Sequence, residues 1–309
     1  MRLPFRILNV FTVEGDRLSG NPLCVFEDGR GLSSEQMQAL ARQLNLSETT
    51  FILPPSSPQA TAAVRIFTPS FELPFAGHPS LGTAAVVHDL LALGSEPGVT
   101  LEMEAGLVSV VQRAAAGQGG PLWQLRTARP ATHREVTIER RVLADMLGLS
   151  LSALVGPPLW VNTGTEQLVI PLTDATEVAA ARPDPVLLAT HGFSEIRGGA
   201  MAYVWAPVAK IDGRGDGRDV SGDAASEAIT ARFFFLVNGS VAEDPATGSA
   251  CANLGGWYLA QRSSLPLRRV IWQGQAIHRP SRLELEIDAD GAIYVAGGVH
   301  ELGRGALEL

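Results

Sequence analysis

Apolar and polar positions alternate with a period of two over much of this chain. Residues 5–13, 60–68, 107–113, 122–126, 167–172, 200–205, 231–237, 270–272 and 283–287 all read as strands, and Gly20-Asn21-Pro22 turns the chain into a further strand through Phe26. Helical spacing is rarer. Ser33-Ser34-Glu35-Gln36 has the form of a capping box and opens a helix through Met37, Leu40, Ala41 and Leu44, with Asn45 as its stop. Shorter helices are predicted at residues 139–147 and 185–191. Two more segments, 81–93 and 246–260, are Ala-rich and apolar nearly all round, as in Ala84-Ala85-Val86-Val87. A helix with no polar face has to be enclosed, and a sheet wrapped around it would do so.

Both enclosed helices follow near copies of one motif. Gly77-His78-Pro79-Ser80-Leu81-Gly82-Thr83-Ala84 and Glu243-Asp244-Pro245-Ala246-Thr247-Gly248-Ser249-Ala250 share Pro-x-x-Gly-(Thr/Ser)-Ala, so that Pro79 meets Pro245, Gly82 meets Gly248, and His78 stands where Asp244 does. A proline near the first helical turn lacks only an N–H that needs no partner, and small neighbours leave the other amides open to an anion. Facing helix starts would place His78 and Asp244 on opposite walls of one cleft. The alternative is a pair of tight helix starts chosen for backbone geometry, with Asp244 as a cap. The duplication and the length of 309 residues fit two domains of about 150 residues each. The boundary falls in Thr-Ala-Arg-Pro-Ala-Thr at residues 127–132, giving domains at 1–128 and 129–291, with the final stretch 292–309 returning to the first.

Composition narrows the partners. Net charge is −8 and Lys and Arg are nowhere clustered, which removes the positive field that nucleic acid requires. No apolar run approaches the ~18 residues of a membrane span, and the first residues lack the apolar core of a signal peptide. Two cysteines, Cys24 and Cys251, make no disulfide framework, and a reducing cytoplasm is expected. Residues 114–120 read as a loose hairpin tip, and the Gly/Asp/Arg-rich residues 211–226 as a mobile loop in which Arg214-Gly215-Asp216 arises by chance.

Candidate chemistry centres on Glu48. It opens an apolar strand between hydroxyl residues, in Leu46-Ser47-Glu48-Thr49-Thr50-Phe51, and a carboxylate so placed is a candidate buried acid or base of raised pKa, against the alternative of an exposed loop carboxylate. Arg65 is expected to pair with a carboxylate, and His88 to pack as a boundary histidine. The six histidines show no ligand spacing, and the phosphate-loop, dinucleotide and hydrolase-elbow motifs are absent. No metal, nucleotide or flavin is expected.

Five motifs in order carry a resemblance: Gly20-Asn21-Pro22, Asn45-Leu46-Ser47-Glu48-Thr49, Phe75-Ala76-Gly77-His78-Pro79, residues 243–250, and Arg279-Pro280-Ser281. Together they resemble the phenazine-biosynthesis PhzF-like isomerase family, a relative of diaminopimelate epimerase. The resemblance implies an α+β fold of two pseudo-symmetric domains, each a rolled, mostly antiparallel sheet around a central helix, with the active site in the cleft. It implies a homodimer and a cofactor-independent isomerase that moves a proton between carbons of a small, cyclic, carboxylate-bearing substrate. Glu48 would be the acid and base, with Gly77, His78, Asp244, Gly248 and Ser249 lining the substrate pocket. Residues 233–239 and 211–226 depart from the family pattern and bear on the substrate. Two alternatives stand beside this reading. One is a two-cysteine racemase or epimerase of related fold, although Cys24 and Cys251 lie away from the places that His78 and Asp244 occupy. The other is a non-catalytic small-molecule binding protein.

Overall fold

A computed structural model of the protein describes residues 1–94, 98–114, 120–208 and 227–309. The expected loop at 211–226 lies outside the described residues, as do residues 115–119 of the hairpin tip. The described residues form two compact units: unit 1 runs to Arg126 and resumes at Ala296–Leu309, and unit 2 holds Thr127–Val295. Strands dominate and helices are few. No helix among the described residues is long and apolar enough to cross a membrane.

Unit 1 contains β1 (Arg2–Thr12), β2 (Asn21–Phe26), α1 (Ser34–Leu44), β3 (Glu48–Leu53), β4 (Ala62–Phe67), β5 (Glu72–Leu73), α2 (Gly77–Leu90), β6 (Gly98–Met103), β7 (Gly106–Arg113) and β8 (Leu122–Arg126). β1 pairs antiparallel with β2, β2 parallel with β3, β3 antiparallel with β4, β4 antiparallel with β5 and parallel with β6, and β6 antiparallel with β7, as is β7 with β8. The capping box forms as its spacing predicts: the Ser33 hydroxyl accepts from the Gln36 amide, and the Gln36 side chain reaches back to the Ser33 amide. Arg65 pairs with Glu72, and the His88 ring meets the edge of Trp123.

Unit 2 contains β9 (Thr132–Glu135), α3 (Arg140–Leu147), β10 (Leu159–Asn162), β11 (Glu166–Pro171), α4 (Ala175–Ala180), α5 (Pro185–His191), β12 (Phe193–Ser194), β13 (Gly199–Pro207), β14 (Glu227–Val237), β15 (Ser240–Asp244), α6 (Gly248–Ala260), β16 (Leu267–Gln273) and β17 (Ser281–Ile287). β10 pairs antiparallel with β11, β11 parallel with β13, β13 antiparallel with β14, β14 antiparallel with β15 and parallel with β16, and β16 antiparallel with β17. The last strand, β18 (Ile293–Glu308), pairs antiparallel with β1. The six-residue α4 and the polar β15 carry too little periodicity to be foreseen from sequence.

The two apolar helices are enclosed, as their composition demands. α2 touches β1, β2, β3, β4, β6, β7 and β8 and buries Leu81, Ala84, Val86 and Val87. α6 touches β9, β10, β11 and β17 and buries Ala250, Ala252, Leu254 and Trp257. The approach is close. A Cβ at Gly82 would come within 2.5 Å of the Leu23 side chain, and one at Gly256 within 2.6 Å of Val161. Burial of each large apolar side chain is worth roughly 1.5–3 kcal/mol, against about 1 kcal/mol for a side-chain cap. Packing therefore carries both helices, and neither has a side-chain cap at its start.

Gly274 ties the Arg279-Pro280-Ser281 turn to the start of α6. Its φ is +81°, and a Cβ there would lie 2.2 Å from the Arg279 carbonyl oxygen and 2.6 Å from that of Pro245. Both obstacles are backbone, so Gly274→Ala is expected to cost about 1–3 kcal/mol of strain or more. A clear drop in the urea midpoint is the expected result, and an unchanged midpoint would show that the two segments part freely.

Candidate active site

In unit 1 the expected site residues converge. α1 ends with Asn45 in the left-handed region, at φ 53°, which turns the chain so that Glu48 opens β3 opposite Leu23 of β2. Two residues on, the buried Thr50 and Thr83 hydroxyls share a hydrogen bond of 2.8 Å and hold β3 against α2. The exposed-loop reading of Glu48 is thereby excluded, since its side chain is only 17% exposed. Gly77 and His78 are the first two residues of α2. The His78 Nε2 lies 3.3 Å from Glu48 Oε2, and the His78 side chain is itself 6% exposed.

Burial pushes the His78 imidazole down to about 3, partly offset by its hydrogen bond to the Pro22 backbone. Pro22 offers only a carbonyl, so His78 donates to it through Nδ1 and presents an unprotonated Nε2 to Glu48. A hydrogen bond between the two side chains then requires the proton to sit on the carboxyl group of Glu48. Sequence reasoning named Gly20-Asn21-Pro22 as a motif but did not foresee that the Pro22 carbonyl sets the histidine tautomer.

In unit 2 the expected residues gather at the start of α6. Asp244 ends β15, and the Thr247 hydroxyl donates to its carboxylate. Gln273, fully buried, staples this loop: its Nε2 donates to the Asp244 carbonyl at 2.9 Å and to the Thr247 hydroxyl at 3.1 Å, and its Oε1 accepts from the Thr247 amide at 3.4 Å. Gly248 and Ser249 are the first residues of α6, and the Ser249 hydroxyl accepts from Gln167 Nε2 at 2.9 Å. Thr247, Gln273 and Gln167 were not foreseen, although a buried glutamine closing an apolar strand such as Val270-Ile271-Trp272-Gln273 is a readable signal.

The structure corrects the register of the duplicated motif. α2 starts at Gly77 rather than Leu81, with Ala76 as its N-cap, and Pro79 is its third residue. α6 starts at Gly248 with Thr247 as N-cap, so Pro245 precedes the helix altogether. Counted from the N-caps, Gly77 corresponds to Gly248 and His78 to Ser249, whereas Asp244 corresponds to Leu73. A strand device agrees with this count. Arg65 pairs with Glu72 and stacks over Phe67, while Arg232 pairs with Glu243 and stacks over Phe234. Each glutamate lies five residues before its helix-opening glycine. The shared Pro-x-x-Gly pattern misled because proline is tolerated both before a helix and within its first turn. Asp244 caps neither helix by side chain.

Both thiols lie away from these positions. Cys24 and Cys251 are fully buried, and burial pushes the Cys24 thiol up to about 12 and raises that of Cys251 as well. Neither is at an N-cap, where a nucleophilic thiolate would gain from helix amides.

His78 should therefore stay uncharged in the folded protein from pH 8 down to about pH 4. An NMR titration of its ring protons, assigned with a His78→Asn variant, is expected to be flat over pH 8–5. The unfolded chain binds this proton near 6.5 and the folded chain near 3, so stability is complete above pH 6.5 and is lost as pH falls toward 3. A His78 resonance titrating near 6.5 would contradict the assignment.

The phenazine biosynthesis-like family model, PhzC-PhzF, matches residues 8–299. An uncharacterized isomerase of Pasteurella multocida is 37% identical over 306 residues, covering 98% of this chain and 93% of that relative. The trans-2,3-dihydro-3-hydroxyanthranilate isomerase of Pseudomonas aeruginosa is 34% identical over 295 residues, covering 94% of this chain and 92% of the relative. The crystal structure of a Bacillus anthracis phenazine biosynthesis protein of the PhzF family superposes with a TM-score of 0.82 over the whole of both chains, at 21% identity, and shows the shared fold. The chain therefore belongs to the phenazine biosynthesis-like PhzC-PhzF family and is an isomerase.

Proposed function

We propose that this isomerase works without a cofactor, with Glu48 moving a proton between two carbons of a small, cyclic, carboxylate-bearing substrate. The observation that carries the reading is the contact of Glu48 with a buried, neutral His78 at 3.3 Å. An imidazolium beside Glu48 would hold it as an ion-paired carboxylate and weaken it as a base. A neutral imidazole does the reverse: once Glu48 has taken a proton from carbon, Nε2 accepts a hydrogen bond from the new carboxyl group. Glu48 can then return the proton to a second carbon, so one residue serves as base and then as acid. Gly77, His78, Asp244, Gly248 and Ser249 are the proposed substrate-binding residues. The uncapped starts of α2 and α6 suit negative charge that develops on the substrate as the proton leaves.

The two units are read as pseudo-symmetric halves of a diaminopimelate epimerase-like fold. Support comes from the same succession of strand pairings, from β1 to β7 and from β10 to β17, and from the repeated Arg–Phe–Glu device. The compound named for the Pseudomonas relative, trans-2,3-dihydro-3-hydroxyanthranilate, is the first substrate to try.

In heavy water the native protein is expected to place deuterium on one carbon of that compound or of another small cyclic amino acid. Glu48→Gln should lower turnover by about 10²–10⁴-fold while ligand affinity stays within a few-fold. Exchange at the native rate by that variant would remove Glu48 from the reaction, and no exchange by the native protein with any such compound would favour a binding protein. Alkylation of the native protein by a thiol reagent should leave turnover unchanged, since both thiols are buried; complete inactivation would instead favour a two-cysteine racemase.

A further inference from the structure

A chain of buried amides leads from the core of unit 2 to Ser249, and its polarity can be read from one end. The Thr163 backbone amide lies 2.9 Å from Asn253 Oδ1, and the Thr163 hydroxyl 2.7 Å from the same atom. On the other side of the amide, Asn253 Nδ2 lies 2.9 Å from the Thr165 carbonyl oxygen and 2.8 Å from Gln167 Oε1. Gln167 Nε2 then lies 2.9 Å from Ser249 Oγ. Asn253 and Gln167 are both fully buried.

Nitrogen and oxygen of a side-chain amide are usually interchangeable in a structure, and only the hydrogen-bond network orders them. Here the order is forced. A backbone N–H can only donate and a backbone carbonyl can only accept, so Thr163 and Thr165 fix both ends of the Asn253 amide. Asn253 must then donate to Gln167, which turns the Gln167 nitrogen toward Ser249. Because Gln167 donates, Ser249 accepts, and its own hydrogen is directed elsewhere.

We propose that Gln167 and Asn253 are positioning residues that fix the Ser249 hydroxyl as a hydrogen-bond donor, so that the site selects a substrate presenting an anionic carboxylate to Ser249. The proposal rests on the reading of Ser249 as a substrate-binding residue and deepens it. Had Gln167 been a second acceptor, the Ser249 hydrogen would be taken up within the protein and the hydroxyl would favour a donor on the ligand. Two amides that touch no substrate thereby set what kind of group the site accepts. A neutral donor in place of the carboxylate leaves two hydrogens facing each other.

The test uses the full chain and a pair of probes, 2-aminobenzoate and 1,2-diaminobenzene, in which a neutral amine offers hydrogens in place of the carboxylate, with binding followed by calorimetry at pH 8. The native protein is expected to prefer the carboxylate by about tenfold or more, the range of a hydrogen bond to a charged group. Gln167→Glu places an acceptor before Ser249 and should abolish the preference. In a Ser249→Ala background the same change should alter it by less than about threefold, since there is no hydroxyl hydrogen left to capture. Gln167→Met, which can neither donate to nor capture the hydroxyl, leaves Ser249 able to turn either way and should lower the preference to a value between those of the native protein and Gln167→Glu. If Gln167→Glu does not fold, Asn253→Asp tests the same point from one residue further away, because an acceptor there turns Gln167 end for end. The proposal is overturned if either acidic variant keeps the native preference, if Gln167→Glu acts equally without Ser249, if Gln167→Met keeps the native preference in full, or if the native protein binds neither probe or both alike. The isomerase reading is judged separately, by heavy-water exchange in the native protein and in Glu48→Gln.

Discussion

Two helices without a polar face must be enclosed by sheet, and most of what matters in this protein follows from that constraint. Because packing rather than capping stabilises α2 and α6, their first turns need no side-chain cap. The residues there are free to be chosen for chemistry. Gly77 and His78 open one helix and Gly248 and Ser249 the other. The strands that bury α2 also bring Glu48, at the start of β3, to within reach of His78.

Enclosure also decides the state of the polar groups it buries. A histidine exposed to water would be partly protonated near neutral pH and would hold a neighbouring carboxylate in its ionised form. Buried in the first turn of α2, with Nδ1 committed to the Pro22 carbonyl, His78 can only accept at Nε2. In unit 2 the same economy of solvent acts on amides. Gln273, Gln167 and Asn253 are buried, and each has its nitrogen and oxygen engaged by neighbours. Leaving any of these unpaired would cost about 1–3 kcal/mol, so the networks are specific about which group faces which. The Arg232–Glu243 pair obeys the same rule: it is buried, and the remaining arginine N–H groups donate to the carbonyls of Val178, Ala179 and Ala181.

Legibility in the sequence followed the range of the interactions. Local signals were read well: the capping box at Ser33, the helix at Pro185–His191 and the alternating strands each depend on residues close in the chain. The demand that residues 81–93 and 246–260 be enclosed was legible because apolarity on every side admits one outcome. Glu48 stood out for a similar reason, as a carboxylate in an apolar strand. The register of the duplicated loops was misread. Pro79 and Pro245 look equivalent in a string of letters, but a proline fits both before a helix and within its first turn, so nothing local tells the two apart.

By itself, then, the sequence determined a strand-rich chain with two buried helices, a family, and the identity of one candidate acid or base, because each of these depends on short-range pattern or on a run of motifs in order. Tertiary structure alone decided that His78 corresponds to Ser249 rather than to Asp244, and that the Pro22 carbonyl leaves His78 Nε2 bare. It also decided that a backbone amide at Thr163 orders two side-chain amides as far as Ser249. Hydrogen-bond polarity passes between residues up to 90 positions apart, and it exists only once the chain has folded and excluded the water that would otherwise serve as either partner.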